Sequence, residues 1–420
     1  MSLSPLLFVR QHFPSHRLPD IGAEVRRQLD AAALHRQLPP GAEVAIGVGS
    51  RGIANLAEIV AALVGWWKAK GMQPFLFPAM GSHGAATARG QAAVLAKFAI
   101  TPETMGCPVR SSLAVDTLGS TPEGIPVVMD RLAHRSAGVM LCGRVKWHTD
   151  FAGNLESGLF KMMAIGLGKL AGAQNYHSHA YSLGLEQVIR SVGRHILATD
   201  KILGGLAILE DAHHDTARLE VLKTKDMEAR EMELLALVKT WMPTIPLPAL
   251  DIVIVNQLGK PLSGSGMDPK IINRNVSAEY NPWPGAPTIG RVYVRGMHPL
   301  SYGNAVGIGL ADVVHSRLIR LVKRGPTWLN ALTSNNPAAA RLPIHYNSDR
   351  KCLETLAATV GKSDPAQVTA GWIHNTQDLR LLAFTQNLKP EIDARPHLEI
   401  TAPPQPWPFD SKGNLPDNLP

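Results

Sequence analysis

The sequence predicts an α/β protein of two domains, with largely parallel sheets and an active-site cleft between them. Three observations carry that expectation. Short apolar runs rich in Val, Ile and Leu alternate with longer amphipathic stretches, several of those runs end at a glycine-bearing turn, and a proline-punctuated segment divides the chain near residue 245. Strand, glycine turn and helix in alternation is the pattern of parallel strands joined by crossover helices, with ligand loops at the strand C-terminal ends.

Taken in order, EVAIGVGS (43–50) reads as a buried strand ending at Gly-Ser, and NLAEIVAALVGWWKAKG (55–71) as an amphipathic helix closing at Gly71. QPFLFPAMGSHG (73–84) supplies a second strand and turn, and ATARGQAAVLAKFA (86–99) a second helix. SAGVMLCGRVKWHT (136–149) is a third strand and loop, and GGLAILEDAHHDTARLEVLKT (204–224) a hairpin or strand pair. A helix over 226–240 leads to the linker MPTIPLPAL, after which DIVIVNQLG opens a second α/β domain. The expected boundaries are 1–245, 246–400 and a proline-rich extended tail over 401–420, which holds six prolines.

Composition excludes several classes. The chain has 420 residues, 45% hydrophobic and 18% charged, which suits globular domains with sizeable cores. Leu6 to Val9 is the longest apolar run near the start, far below the ~20 residues of a spanning helix, so a cytoplasmic protein without a membrane anchor is expected. Three widely spaced cysteines, Cys107, Cys142 and Cys352, give neither a disulfide framework nor a CxxC pair. The net charge of +8 is scattered, and its densest run, RLIRLVKR (317–324), has helical spacing and no aromatic interleaving. Small anionic ligands fit this balance, and nucleic acid does not.

Candidate site residues cluster where such folds place ligands. Ser50 and Arg51 in GVGSRG, His83 in AMGSHG and His148 in VKWHTD each follow a predicted strand. One histidine near a turn is most often structural; three polar loops at equivalent positions converge on one crevice. GVGSRG is out of register with a dinucleotide fingerprint and lacks its acidic partner. Lys161, flanked by Phe, Met and Ile, is either a helix-edge lysine or a nucleophile pressed into an apolar setting. His177 and His179 have the spacing of a metal-binding HxH, which needs a strand to aim both rings alike, whereas their flanks read as loop or helix. EDAHHD (210–215) also packs metal-ligand types and reads as a polar turn.

With those residues in view, the chain resembles the nickel-dependent lactate racemase family, in patches over most of its length. GSHGAAT (81–87) is similar to the family's Gly-Thr-His-Arg loop, and HTDFAGNLESGLFK (148–161) to its histidine, Ala-Gly and Ser-Gly-Gly-x-Lys segment. His177 follows Lys161 by sixteen positions, the family's lysine-to-ligand spacing, and GNAVGIGLAD (303–312) and WIHNTQDL (372–379) resemble later landmarks. Here Val48 stands where the family has an acidic residue, and Ser157-Gly158-Leu159 where it has Ser-Gly-Gly.

The resemblance implies a racemase or 2-epimerase of 2-hydroxy acids that uses a nickel-pincer nucleotide, a pyridinium mononucleotide whose two sulfur-bearing arms grip nickel. Carried over by position, Lys161 is the covalent tether, His177 the nickel ligand, His83 and His148 the two acid/bases, and Arg51 with Ser50 a cofactor-side or substrate-side contact. Inverting a secondary alcohol beside a carboxylate requires hydride removal from C2 and a base for the hydroxyl proton on either face, work that imidazole does near neutral pH. Lys260, Lys270 and Arg274, in the loop NQLGKPLSGSGMDPKIINRN (256–275), are candidates for the substrate carboxylate, with Asn256, Ser263 and Ser265 as hydroxyl partners. So polar a loop suggests a polyhydroxylated acid. Implied partners are the small anionic substrate and cofactor-maturation proteins, and a homo-oligomer is allowed. Two other readings predict different outcomes: a zinc-dependent hydrolase built on His177 and His179, and a non-catalytic binding protein for a nucleotide or sugar acid.

Overall fold

The computed structural model describes residues 3–49, 52–275 and 279–419. The chain forms two compact units, one of residues 14–242 and one that joins residues 1–13 to 243–420. In chain order the strands are β1 (Leu6–Gln11), β2 (Glu43–Val48), β3 (Gln73–Pro78), β4 (Val115–Ser120), β5 (Pro126–Asp130), β6 (Gly138–Arg144), β7 (Ile202–Glu210) and β8 (Thr216–Leu222). They continue with β9 (Ala249–Leu258), β10 (Thr288–Met297), β11 (Val313–His315), β12 (Ile344–Tyr346), β13 (Ala370–Ile373), β14 (Leu381–Thr385) and β15 (Leu398–Ile400).

In the unit of residues 14–242 a five-stranded sheet runs in the order β3-β2-β6-β7-β8, parallel as far as β7. The β7–β8 pair is the antiparallel hairpin that the sequence announces. Alternation along β2 sends Val44, Ile46 and Val48 to a core with Leu63 and Trp67, and Ala45 to the opposite core with Phe77 and Phe160. Both faces are therefore covered, as a parallel sheet requires. Helix Ile21–Ala32 starts where the Asp20 carboxylate accepts the Ala23 N–H, and helix Ala88–Lys97 where Thr87 accepts from Gly90. A small β4–β5 hairpin stands apart as a two-stranded sheet.

The other unit holds an eight-stranded sheet in the order β12-β11-β10-β9-β13-β14-β1-β15. Pairing is parallel from β12 through β13 and antiparallel beyond. Only residues 374–380 join β13 to β14, too few for the crossover that parallel pairing needs. This sheet is mixed rather than largely parallel.

Two terminal segments behave differently from the sequence-based division at 1–245 and 401–420. Leu6 to Val9 is a strand buried on both faces, paired with β14 and β15, so the first residues belong with the second unit. The proline-rich end packs there too: Leu415 is buried, its carbonyl accepts from Arg295, and Trp407 Nε1 donates to the Ser4 carbonyl. Arg295 itself is fully buried against Asp349 at 2.9 Å, which leaves the last stretch little freedom to extend. Among the described residues no helix is long and apolar enough to cross a membrane.

Candidate functional site

The order β3-β2-β6-β7 means that the chain first steps from β2 to β3, then returns across β2 to β6. That reversal is a topological switch, and ligands of open α/β sheets bind beyond the strand C-termini at such points. Val48 is in register with both Pro78 and Cys142, so the loops after β2, β3 and β6 leave the sheet at one level. Those loops carry Ser50–Arg51, His83 and His148. Ser50 and Arg51 lie outside the described residues. Just beyond them, the Gly52 carbonyl accepts from Arg144 at 3.0 Å, Arg144 pairs with Glu210, and Glu210 accepts the Ala54 N–H at 2.8 Å.

The His148 loop is closed on itself. Lys146 and Ser157 exchange backbone hydrogen bonds of 2.9 and 3.1 Å, pinching off the ten residues between them. Glu156, 1% exposed, accepts the His148 backbone N–H and the Gly153 N–H, and pairs with Lys239 at 2.6 Å. The His148 ring lies 4.7 Å from Phe151, centroid to centroid, and its Nδ1 accepts the Asp150 N–H at 3.0 Å. Acceptance at Nδ1 places the proton of the neutral ring on Nε2.

Ser157 leads directly into the segment that bears Lys161. Leu159–Lys161 is a single helical turn, followed by a π-helix over Met162–Leu167 and then helix Lys169–Leu183. Such local widening of a helix recurs at functional sites. The fully buried Glu231 accepts from the Leu159 and Phe160 N–H groups at 2.8 and 3.1 Å, and burial pushes its carboxyl up to about 7 against those bonds. A methyl group on Gly158 would sit 2.2 Å from the same carboxylate, which accounts for a glycine there.

Glycines also let the Lys161 segment approach the strand ends. A methyl on Gly49 would lie 3.3 Å from the Met162 methyl, one on Gly143 2.6 Å from it, and one on Gly81 2.9 Å from Ile165 Cγ2. Lys161 therefore belongs to a segment laid over the ends of β2, β3 and β6. Burial, and after it the Lys161 cation, holds His177 below the ordinary imidazole range, with Asp150 pulling the other way.

His177 and His179 share a helix, where two residues apart means roughly 200° around the axis. They cannot act as an HxH chelate. His213 and His214 occupy the β7–β8 turn, which Asp211 organises by accepting the His213 and Asp215 N–H groups at 3.0 and 3.2 Å. Among the described residues no three His, Cys, Asp or Glu side chains gather as a metal-binding group. The zinc-hydrolase reading therefore loses the HxH pair on which it is built.

In the other unit the sheet reverses at β9, whose neighbours are β10 and β13. The loops after β9 and β13 bring together a buried polar group: Ser263, Ser265, Asp268, Lys270, Asn375 and Thr376 are each at most 9% exposed. The Asp268 N–H donates to Thr376 Oγ1 at 2.9 Å, joining the two loops. Lys260 Nζ donates to the Gly264 carbonyl at 2.7 Å, and Lys270 Nζ lies 5.6 Å from the Trp283 ring centroid. Arg274 is 1% exposed, with its guanidinium spent on the carbonyls of Asn273, Ile289 and Gly290. Asn256 accepts from both Arg295 and Trp372 and is a core group. Both residues are bound into the framework of this unit.

Sequence reasoning did not single out Glu156, Glu231 or Asp150 at the Lys161 site, or Asn375 and Thr376 after β13. No family model matches the sequence, and no curated protein matches it. Among solved structures the chain is similar to a protein from Thermotoga maritima, at 12% identity over 78% of this chain and 84% of that one, with a TM-score of 0.51. The likeness is one of fold. The lactate racemase apoprotein from Thermoanaerobacterium thermosaccharolyticum aligns over 87% of this chain and 99% of its own, at 12% identity and a TM-score of 0.48.

Proposed function

We propose that the chain is a racemase or 2-epimerase of 2-hydroxy acids that carries a nickel-pincer nucleotide on Lys161. The observation that carries this reading is geometric: close approaches at Gly49, Gly81 and Gly143 let the segment bearing Lys161 lie over the ends of β2, β3 and β6, the edge that bears the His83 and His148 loops, and the same stretch of chain continues into the helix of His177. The donor set fits the group. A neutral imidazole has the lone pair that a soft-ligand metal site needs, and a half-buried lysine beside it offers the attachment point.

Lys161 Nζ would form the tether and His177 would ligate nickel, with Ser50 and Arg51 facing the nucleotide or the substrate. When bound, that group supplies reversible acceptance of the C2 hydrogen with its electron pair. The protein's own part is at the C2 oxygen, where His83 and His148 take and return the hydroxyl proton, one for each enantiomer. With Nδ1 accepting the Asp150 N–H, the neutral His148 ring holds its proton on Nε2 and can donate it to that oxygen; taking the hydroxyl proton at Nε2 requires the Nδ1–H tautomer, and with it the opening of the Asp150 contact. We propose further that Lys260 and Lys270 recognise the carboxylate and that Ser263 and Ser265 favour a polyhydroxylated acid. Arg274 is left out of that role because it is buried and donates to three backbone carbonyls.

The test is substitution of each histidine in protein matured with the cofactor-making enzymes. His83→Ala and His148→Ala should each abolish inversion of any 2-hydroxy acid turned over by the matured parent protein, with the Lys161 adduct retained. Full inversion by either variant overturns the two-base scheme.

A further inference from the structure

Lys169 is fully buried, and nothing in the proposed chemistry uses it. It stands eight residues after Lys161 and eight before His177, at the junction between the π-helix and the helix that carries His177. Its backbone is left-handed there, φ 54°, a conformation that costs a non-glycine residue about 1–2 kcal/mol. The junction turns the chain, so the conformation of this one residue sets the angle between the Lys161 segment and the His177 helix.

The side chain reaches from the junction to the β3 loop. Lys169 Nζ donates to the Pro78 carbonyl at 2.8 Å and to Gln91 Oε1 at 2.6 Å, with Asp130 Oδ2 at 3.5 Å. Gln91, also fully buried, turns its amide nitrogen to the Met80 and Gly81 carbonyls at 3.1 and 2.8 Å. Pro78, Met80 and Gly81 are the residues that lead to His83. Asp130 ends β5, accepts the Leu132 and Ala133 N–H groups through Oδ1, and leaves Oδ2 without a hydrogen bond, facing the lysine at ion-pair distance. An alkyl chain of the same length would fill this space without gripping anything, and a buried ammonium is expensive unless its donors are used.

We propose that Lys169 and Gln91 are positioning residues that lock the His83 loop onto the junction between Lys161 and His177, so that one buried bracket fixes the relative placement of all three. The functional meaning of the bracket rests on the racemase reading; its existence does not. It touches no substrate and acts through the loop and the helix. Gln91 is the separable half, because its acceptor oxygen serves Lys169 and its donor nitrogen serves the loop.

The experiment is hydrogen exchange by mass spectrometry on the full-length protein, comparing Gln91→Met with Gln91→Glu. Gln91→Met should speed exchange about tenfold or more over both 79–87 and 162–173, leaving β7 unchanged. Gln91→Glu keeps an acceptor for Lys169 but has no donor for Met80 and Gly81, so protection should return at 162–173 and stay lost at 79–87. The double variant Lys169→Met, Asp130→Asn removes both charges together and should match Gln91→Met if the single variant does not fold. Unchanged exchange at 79–87, equal loss throughout the unit, or equal behaviour of the Met and Glu variants overturns the bracket. An unmodified Lys161 in the same protein produced with the cofactor-making enzymes counts against the racemase reading and leaves this result intact.

Discussion

Glu231 joins stability to the Lys161 segment in a way that pH exposes. Its carboxyl is pushed from an ordinary 4.5 to about 7 because it is buried, although two backbone N–H groups of the Lys161 turn bond to it. The folded state therefore binds a proton that the unfolded state releases between pH 4.5 and 7, and stability falls as pH rises through that window. A displacement of ~2.5 pH units at ~1.36 kcal/mol each amounts to roughly 3 kcal/mol, fully present below pH 4.5 and gone above 7. Glu231→Gln keeps an acceptor for Leu159 and Phe160 and cannot titrate. Urea unfolding of both proteins at pH 5, 6, 7 and 8 should show the variant gaining about 2–3 kcal/mol on its parent across the series, since the other groups cancel in the difference. A difference that stays constant with pH would refute the reasoning, and would mean that Glu231 is ionised and satisfied throughout.

Other perturbations test other parts of the account. Gly81→Val places new methyl groups against Ile165 and Ala173, where even a single added carbon meets Ile165 Cγ2 at 2.9 Å; it should cost about 1–3 kcal/mol in urea unfolding and reduce the yield of modified Lys161 in a mass spectrum. In the second unit, Arg295→Met leaves the fully buried Asp349 without its cation and the Leu415 carbonyl without its donor, with an expected loss of about 3–5 kcal/mol and faster proteolysis of the last residues. Arg274→Gln should lower stability through the carbonyls it abandons and leave the substrate KM unchanged, whereas Lys270→Gln should raise KM with little effect on the unfolding midpoint. A large KM effect for Arg274→Gln would return it to the substrate site.

What the sequence discloses and what it withholds divide along physical lines. The strands of the first sheet and the β7–β8 hairpin are legible because apolar runs ending in glycine turns are local signals. That the loops bearing His83 and His148 share one edge follows from the rule that parallel strands present their C-terminal loops together, whereas Lys161 stands out only by its apolar flanks and the family resemblance. The home of Leu6–Val9 is not legible, because a short apolar run does not name its partner strands nearly 400 residues away. The proline count of the last twenty residues points to an extended tail, yet Leu415 and Trp407 supply the apolar anchors that dock it. Arg274 reads as a cation available to a ligand until the Asn273, Ile289 and Gly290 carbonyls are seen around it. Gln91 and Glu231 are ordinary polar residues on predicted helices and Lys169 lies in a stretch with no predicted element, and only tertiary burial makes structural groups of them. The His177/His179 pair shows the converse: a motif with metal spacing fails once its helix separates the rings.

The most direct test of the central claim is a peptide mass map around Lys161 together with a nickel count, on full-length protein produced with the cofactor-making enzymes. The account predicts a sulfur-containing nucleotide adduct on Lys161 and bound nickel that is lost in His177→Ala. An unmodified Lys161 with zinc or no metal, in a preparation where those enzymes are active, would contradict it.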